Sequence, residues 1–152
     1  MWEVVARESI RDLVARYNAY GDAGRFDDLL GLFAPDATME LPVDGQTTTY
    51  AGLDEIRTIF TGTRDAWTGA ATAAGAPAYV RHSLTTHQID FVDAGHATGR
   101  AYFQVIKAHG LDHWGRYLDR YAEIDGHWRF TFRRAAADGY ASDDASSGTP
   151  TP

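Results

Sequence analysis

The stretch "ESIRDLVARYNAYGDAGRFDDLLGLFAPDATMEL", Glu8 to Leu41, decides the fold because its apolar rhythm changes within it from helical to extended. Ile10, Leu13, Val14, Tyr17 and Tyr20, with Val5 before them, recur at three- and four-residue steps, which predicts an amphipathic helix with one buried face. Glycines at 21 and 24 punctuate that helix. Phe26, Leu29, Leu30 and Phe33 predict a second, shorter helix ending before Pro35, and "ATMEL" reads as a strand entering the turn "PVDG". Between the helices stands Asp22, a carboxylate among glycines. By itself it reads either as a turn or cap residue or as a group held at the mouth of a pocket.

Downstream, Leu53, Ile56, Ile59 and Phe60 predict a third helix, started by Gly52 and Asp54. From Gly62 to Pro77 the composition shifts to Gly, Ala and Thr around one large apolar residue, Trp67, and reads as a loop with a single anchor, a candidate lid. The second half reads as strand throughout: "VRHSLTTHQIDF", "HATGRAYFQVIK", "WGRYLDRYAEI" and "HWRFTFRR", with Asp125-Gly126 a two-residue hairpin signal between the last two. Apolar parity in the first of these changes from Leu84 to Ile89 and Phe91, which predicts a bulge near Thr85 to His87. Helices followed by a four-strand antiparallel run predict an α+β domain over residues 1–140. In it a curved sheet of mixed and antiparallel pairing wraps three N-terminal helices into a cone whose open end is a pocket. The tail "ASDDASSGTPTP", residues 141–152, is polar and acidic and reads as disordered.

Composition narrows the function classes. At 152 residues with 44% hydrophobic side chains, the chain suits one globular domain. Lys and Arg number 14 against 21 Asp and Glu, a formal charge of -7 with no basic stripe, so nucleic acid is not an expected partner. The absence of cysteine removes disulfides, a thiolate nucleophile and zinc-thiolate sites together. "MWEVVARESIRDL" lacks the basic start and apolar run of a signal peptide, and no segment reaches membrane-spanning length. A cytoplasmic protein without membrane partners is the expectation.

Three segments carry a family resemblance: Glu8–Leu41, the "VRHSLTTHQIDF" strand, and the ending "GRYLDRYAEIDGHWRFTFRR". Over most of residues 2–135 the chain resembles the SnoaL-like branch of the nuclear transport factor 2 superfamily. Within it the chain is most similar in type to scytalone dehydratase and hexachlorocyclohexane dehydrochlorinase, whose enzymes use a His and Asp pair to take a proton from carbon. The resemblance places the aspartate on Asp22 of "YGDAG" and the histidine on His82 of "VRHSL", and an arginine that meets developing anionic charge on Arg133 of "FTFRR". Two departures shape the expected reaction. Tyr17 stands where the dehydrochlorinase has a lysine, which suits an oxygenated substrate better than a halide. Gly21 stands where scytalone dehydratase has a tyrosine.

What the resemblance implies is a cofactor-independent dehydratase, isomerase or cyclase. His82 would be its general base and Asp22 would orient it, with Tyr17, Tyr20, Trp67 and Tyr117 binding a small cyclic or polyketide-like substrate. Neither metal nor organic cofactor is expected, and a homodimer or homotrimer is. A face bearing Phe103, Trp128 and Phe132 is the expected interface. Alternative readings stand beside these: a non-catalytic ligand-binding protein, or a small subunit of a ring-hydroxylating dioxygenase. Arg133 could instead pair with Asp119 or Glu123, and the tyrosines could be core. His109 and His113 in "HGLDH" have a spacing that could suit a metal on a helix, but strand context and Gly110 speak against it.

Overall fold

The computed structural model describes the backbone of residues 1–73 and 79–141 and the side chains of residues 1–62 and 79–141. The N-terminal period folds as helix α1 (Trp2–Asp22), burying Ile10, Leu13, Val14, Tyr17 and Asn18. Helix α2 (Phe26–Leu30) and strands β1 (Phe33–Val43) and β2 (Gln46–Ala51) follow. Then come helix α3 (Gly52–Ala73) and strands β3 (Val80–Phe91), β4 (His96–Lys107), β5 (Gly110–Ile124) and β6 (His127–Tyr140). The strands form one curved sheet in the order β2-β1-β6-β5-β4-β3, antiparallel except where β1 runs parallel to β6. Asp44-Gly45 and Asp125-Gly126 turn the β1–β2 and β5–β6 hairpins with φ of 50°, 79°, 52° and 77°, the left-handed pair a type I′ turn demands.

The predicted bulge lies between Thr85 and His87, with Thr86 at φ 44°. A β-branched residue pays strain in that region, and here the extra residue shifts the parity of β3 so that Leu84 and Ile89 both turn toward the core. Three other expectations are corrected. Phe33 belongs to β1 rather than to the second helix, because its ring meets Phe130 of β6 at 5.0 Å and parallel pairing outweighs the local helical period. Residues 62–73 continue α3 rather than forming a loop. Their alanines are the strongest helix formers and no proline interrupts before Pro77, so composition misled where propensity did not. The Trp67 side chain, the stretch 74–77 of the supposed lid and residues 142–152 of the tail lie outside the described residues. Finally, Phe103 is buried on the concave face, stacked on Tyr117 at 4.6 Å, and cannot form an exposed interface. Trp128 packs edge-on against Phe91, and Phe132 lies under Arg120.

His87, just after the bulge, is half-buried with its Nε2 3.5 Å from the Tyr121 hydroxyl. Burial, opposed by Asp119 and reinforced by Arg133 and Arg11, holds its pKa below the ordinary 6.5. The unfolded ring therefore binds a proton that the folded ring resists. This contribution is fully present above pH 6.5 and is lost as the pH falls toward the folded pKa. Urea denaturation should give a lower unfolding free energy at about pH 5.5 than at about pH 7.5, and His87→Gln should flatten that difference. An identical slope in the variant would assign it to other groups.

Candidate functional site

Asp22 is the last residue of α1, at the end where the helix dipole is negative and a carboxylate gains nothing from it. Nor does it cap α2, whose N-cap Arg25 makes no side-chain capping bond. Its partner comes from 60 residues further along the chain. The His82 backbone N–H donates to Asp22 Oδ2 at 2.9 Å, and His82 Nδ1 lies 2.6 Å from Asp22 Oδ1. The first bond takes up a free N–H of β3, an edge strand of the sheet. The second sets the ring. A carboxylate only accepts, so Nδ1 carries the hydrogen, and the neutral ring held this way has its lone pair on Nε2. The Asp22 side chain is 9% exposed and that of His82 29%, so the imidazole is the more open member.

α1 positions this pair by acting as a ruler. Arg7, near its start, donates from Nη1 to the carbonyl of Ile89 at 2.7 Å, while Asp22, at its end, holds His82. The helix rise from residue 7 to 22 is about 22 Å, and the strand rise from 82 to 89 is about 23 Å. The helix thus lies along β3 with both ends pinned.

His82 and Asp22 open onto a cavity of about 410 Å³ inside the cone. Its walls are mostly apolar and aromatic, with Phe26, Leu29, Met39, Ile59, Phe60, Phe103 and Val105 among them. Tyr17 and Tyr117 line it too. Burial raises the pKa of both phenols, so they remain neutral donors near pH 7. Tyr117 donates to Asn18 Oδ1 at 3.1 Å, and Asn18 Nδ2 has no acceptor among the described residues. Asn18 was missed by the reading of the sequence. Its signal was there: an amide inside an apolar helical stripe, one turn before Asp22 and on the same face.

Two sequence candidates stand elsewhere. Tyr20 does not line this cavity. Its hydroxyl accepts from Arg16 at 3.1 Å and Arg25 lies over its ring. Arg133 is fully buried, with Nε and Nη2 each 2.8 Å from the two Asp119 oxygens, the ion-pair alternative the sequence left open. Its guanidinium stands 4.0–4.2 Å from the ring centroids of Tyr117, Tyr17 and Phe130. Burial alone would lower the arginine pKa, but Asp119 more than reverses this and the group is charged. Arg133 thus stands behind the cavity wall, holding the rings of Tyr17 and Tyr117 that form it.

Residues 2–134 match the SnoaL-like domain. No curated protein is similar enough in sequence to count as a relative. Among solved structures, a candidate scytalone dehydratase from Novosphingobium aromaticivorans DSM 12444 superposes with a TM-score of 0.75 at 19% identity, covering 92% of this chain and 89% of that one. The β subunit of a candidate aromatic-ring-hydroxylating dioxygenase from the same organism gives 0.72 at 19%, covering 93% and 94%. An NTF2-like protein with a cystatin-like fold, also from Novosphingobium aromaticivorans, gives 0.70 at 24%, covering 94% and 89%. At these identities the likeness establishes the fold.

Proposed function

We propose, from the premise that the chain belongs to the SnoaL-like family, that it is a cofactor-independent lyase or isomerase in which His82 removes a proton from carbon of a small cyclic substrate. The observation that carries this reading is the 2.6 Å contact between His82 Nδ1 and Asp22, made at the wall of a largely apolar cavity. A ligand-binding protein has no need of an imidazole whose far nitrogen is held by a carboxylate. A general base does, because the carboxylate fixes the tautomer and stabilises the imidazolium formed when the proton arrives. Asn18 Nδ2 is a spare donor for a substrate oxygen, held in place by the Tyr117 hydroxyl on Asn18 Oδ1, and the neutral phenol of Tyr17 lines the same cavity. A donor so placed stabilises the enolate-like charge that develops when the proton leaves carbon. Arg133 acts in this scheme as a positioning residue behind the two phenols.

The reading is tested by hydrogen exchange. The protein in D₂O should speed loss of the α-carbon proton signals of cyclic ketones such as cyclohexanone and 1-tetralone, followed by ¹H NMR. Rates equal to buffer alone across such a panel would sink it.

The structural likeness to a dioxygenase β subunit favours one second reading, a subunit of a hetero-complex. The solution mass separates the two. A homodimer or homotrimer purified from its native host is expected here, and a stable complex with a larger unrelated chain would support the subunit reading.

A further inference from the structure

The two edges of the sheet differ in how their outward backbone groups are met. At β3, α1 takes up such groups, since Asp22 accepts from the His82 N–H and Arg7 donates to the Ile89 carbonyl. β2 is the other edge, and Gln46, Thr47, Thr48 and Thr49 are all exposed on it. Among the described residues, the one hydrogen bond that this edge makes beyond its own sheet is at the far end, where the Ala51 N–H donates to Glu55 Oε2 at 2.8 Å. From Gln46 to Ala51 there is no charge, no proline and no bulge, the devices that usually blunt an open edge.

Strand register fixes which groups are free. Ala51 turns its N–H away from β1, so by the alternation of an antiparallel pair Thr47 and Thr49 also turn N–H and C=O outward, while Gln46, Thr48 and Tyr50 bond to β1. Pro42, opposite Thr47, agrees with this, because it has no N–H to give to a hydrogen-bonded pair. The N–H and C=O groups of Thr47 and Thr49 thus lack partners among the described residues, and they stand symmetrically about Thr48. A second β2 running antiparallel, on a two-fold axis through Thr48, meets all of them. Thr47 of each copy exchanges both bonds with Thr49 of the other, Thr48 faces Thr48, and Gln46 faces Tyr50. Paired β-branched side chains suit such a contact. Although the chain carries -7 overall, no charged side chain belongs to this strand, so two copies meet along it without like charges opposed.

We infer that the β2 edge is a self-association surface whose partner is a second copy of this chain, joined antiparallel with Thr47 opposite Thr49 and Thr48 opposite Thr48. The two six-stranded sheets then become one continuous sheet. Growth stops at two copies, because both outer edges of the joined sheet are β3, already tied to α1. An isologous edge is used up by one partner, so this contact builds a dimer and not a trimer. None of Gln46 to Ala51 lines the cavity beside His82, and the association is therefore independent of the chemistry proposed there.

A chain without cysteine allows a direct test of this register. On the two-fold axis the Thr48 pair is a non-hydrogen-bonded one with Cα atoms about 4.5 Å apart, within reach of a disulfide. Thr48→Cys oxidised with diamide should run as a covalent dimer. Thr47→Cys should not, since its two copies are offset by two residues and lie roughly 9 Å apart. Sedimentation velocity over a dilution series of the cysteine-free protein should reach twice the chain mass of 16.7 kDa. Thr49→Pro removes an outward N–H and leaves the β1–β2 ladder intact, so it should raise the dimer dissociation constant at least about 10-fold with the circular dichroism of the wild type. Thr48→Lys sets two ammonium groups on the axis and should weaken the dimer likewise, which keeps the test decisive if the proline disturbs the hairpin. A monomer across the whole series, a trimer, or a dimer unchanged in either folded variant overturns the inference. So does cross-linking through Thr47→Cys in preference to Thr48→Cys, or an unrelated chain that Thr49→Pro releases from this edge.

Discussion

His82→Gln is expected to lower the rate of α-carbon exchange by about 10²- to 10⁴-fold, the usual worth of a positioned general base, while the protein folds as before. Glutamine preserves the backbone N–H that donates to Asp22 Oδ2, so the pinning of β3 to α1 survives the substitution. Its side-chain amide can still donate to Asp22 Oδ1, which satisfies the carboxylate, but an amide does not accept a proton at neutral pH. The change therefore removes basicity and little else. Exchange kinetics together with a thermal midpoint measure both arms. Retained exchange in a folded His82→Gln protein would return Asp22 and His82 to a purely structural role, a tie between an edge strand and a helix end.

The second large effect is on stability. Asp119→Ala should cost about 3–5 kcal/mol, because it leaves the Arg133 charge, which is fully enclosed, without its only carboxylate partner among the described residues. Asp119 also accepts from the Tyr121 hydroxyl at 2.7 Å, so a second buried donor is orphaned at the same time. The three aromatic faces around the guanidinium soften the loss without replacing a bidentate pair. At this chain length the shift in thermal midpoint should be about 6–20 °C. Asp119→Leu with Arg133→Met should recover much of the loss, since removing both charges eliminates the desolvation cost as well as the attraction. A double variant no more stable than Asp119→Ala would refute that account. Because Arg133 props Tyr17 and Tyr117, the rescued protein should remain slower in exchange than the wild type even when its stability returns.

The relation between sequence and structure differs from element to element, and the reason is the range of the forces involved. Periodicity made α1 legible, parity made the Thr85–His87 bulge legible, and Asp-Gly pairs made the β1–β2 and β5–β6 turns legible, because each is decided within a few residues by backbone sterics and local burial. The stretch after Gly62 was misread where glycine and threonine hid a continuous helix, and Phe33 was misread where a partner strand almost a hundred residues away claimed it. The pairing of Asp22 with His82 came from family likeness, since no local rule connects them.

The chain by itself therefore determined most of the element types, the order of two helices, a hairpin, a third helix and a four-strand run, the acidic and cysteine-free chemistry, and the positions of the residues able to move protons. Only the tertiary structure decided which of them meet. Curvature of the sheet turned Phe103 inward, the length match between α1 and β3 brought Asp22 to His82, and a single-residue slip beside β4 set Asp112 against His113. Those outcomes depend on strand register, where a shift of one residue reverses the face a side chain occupies. That register is set by packing summed over the whole sheet.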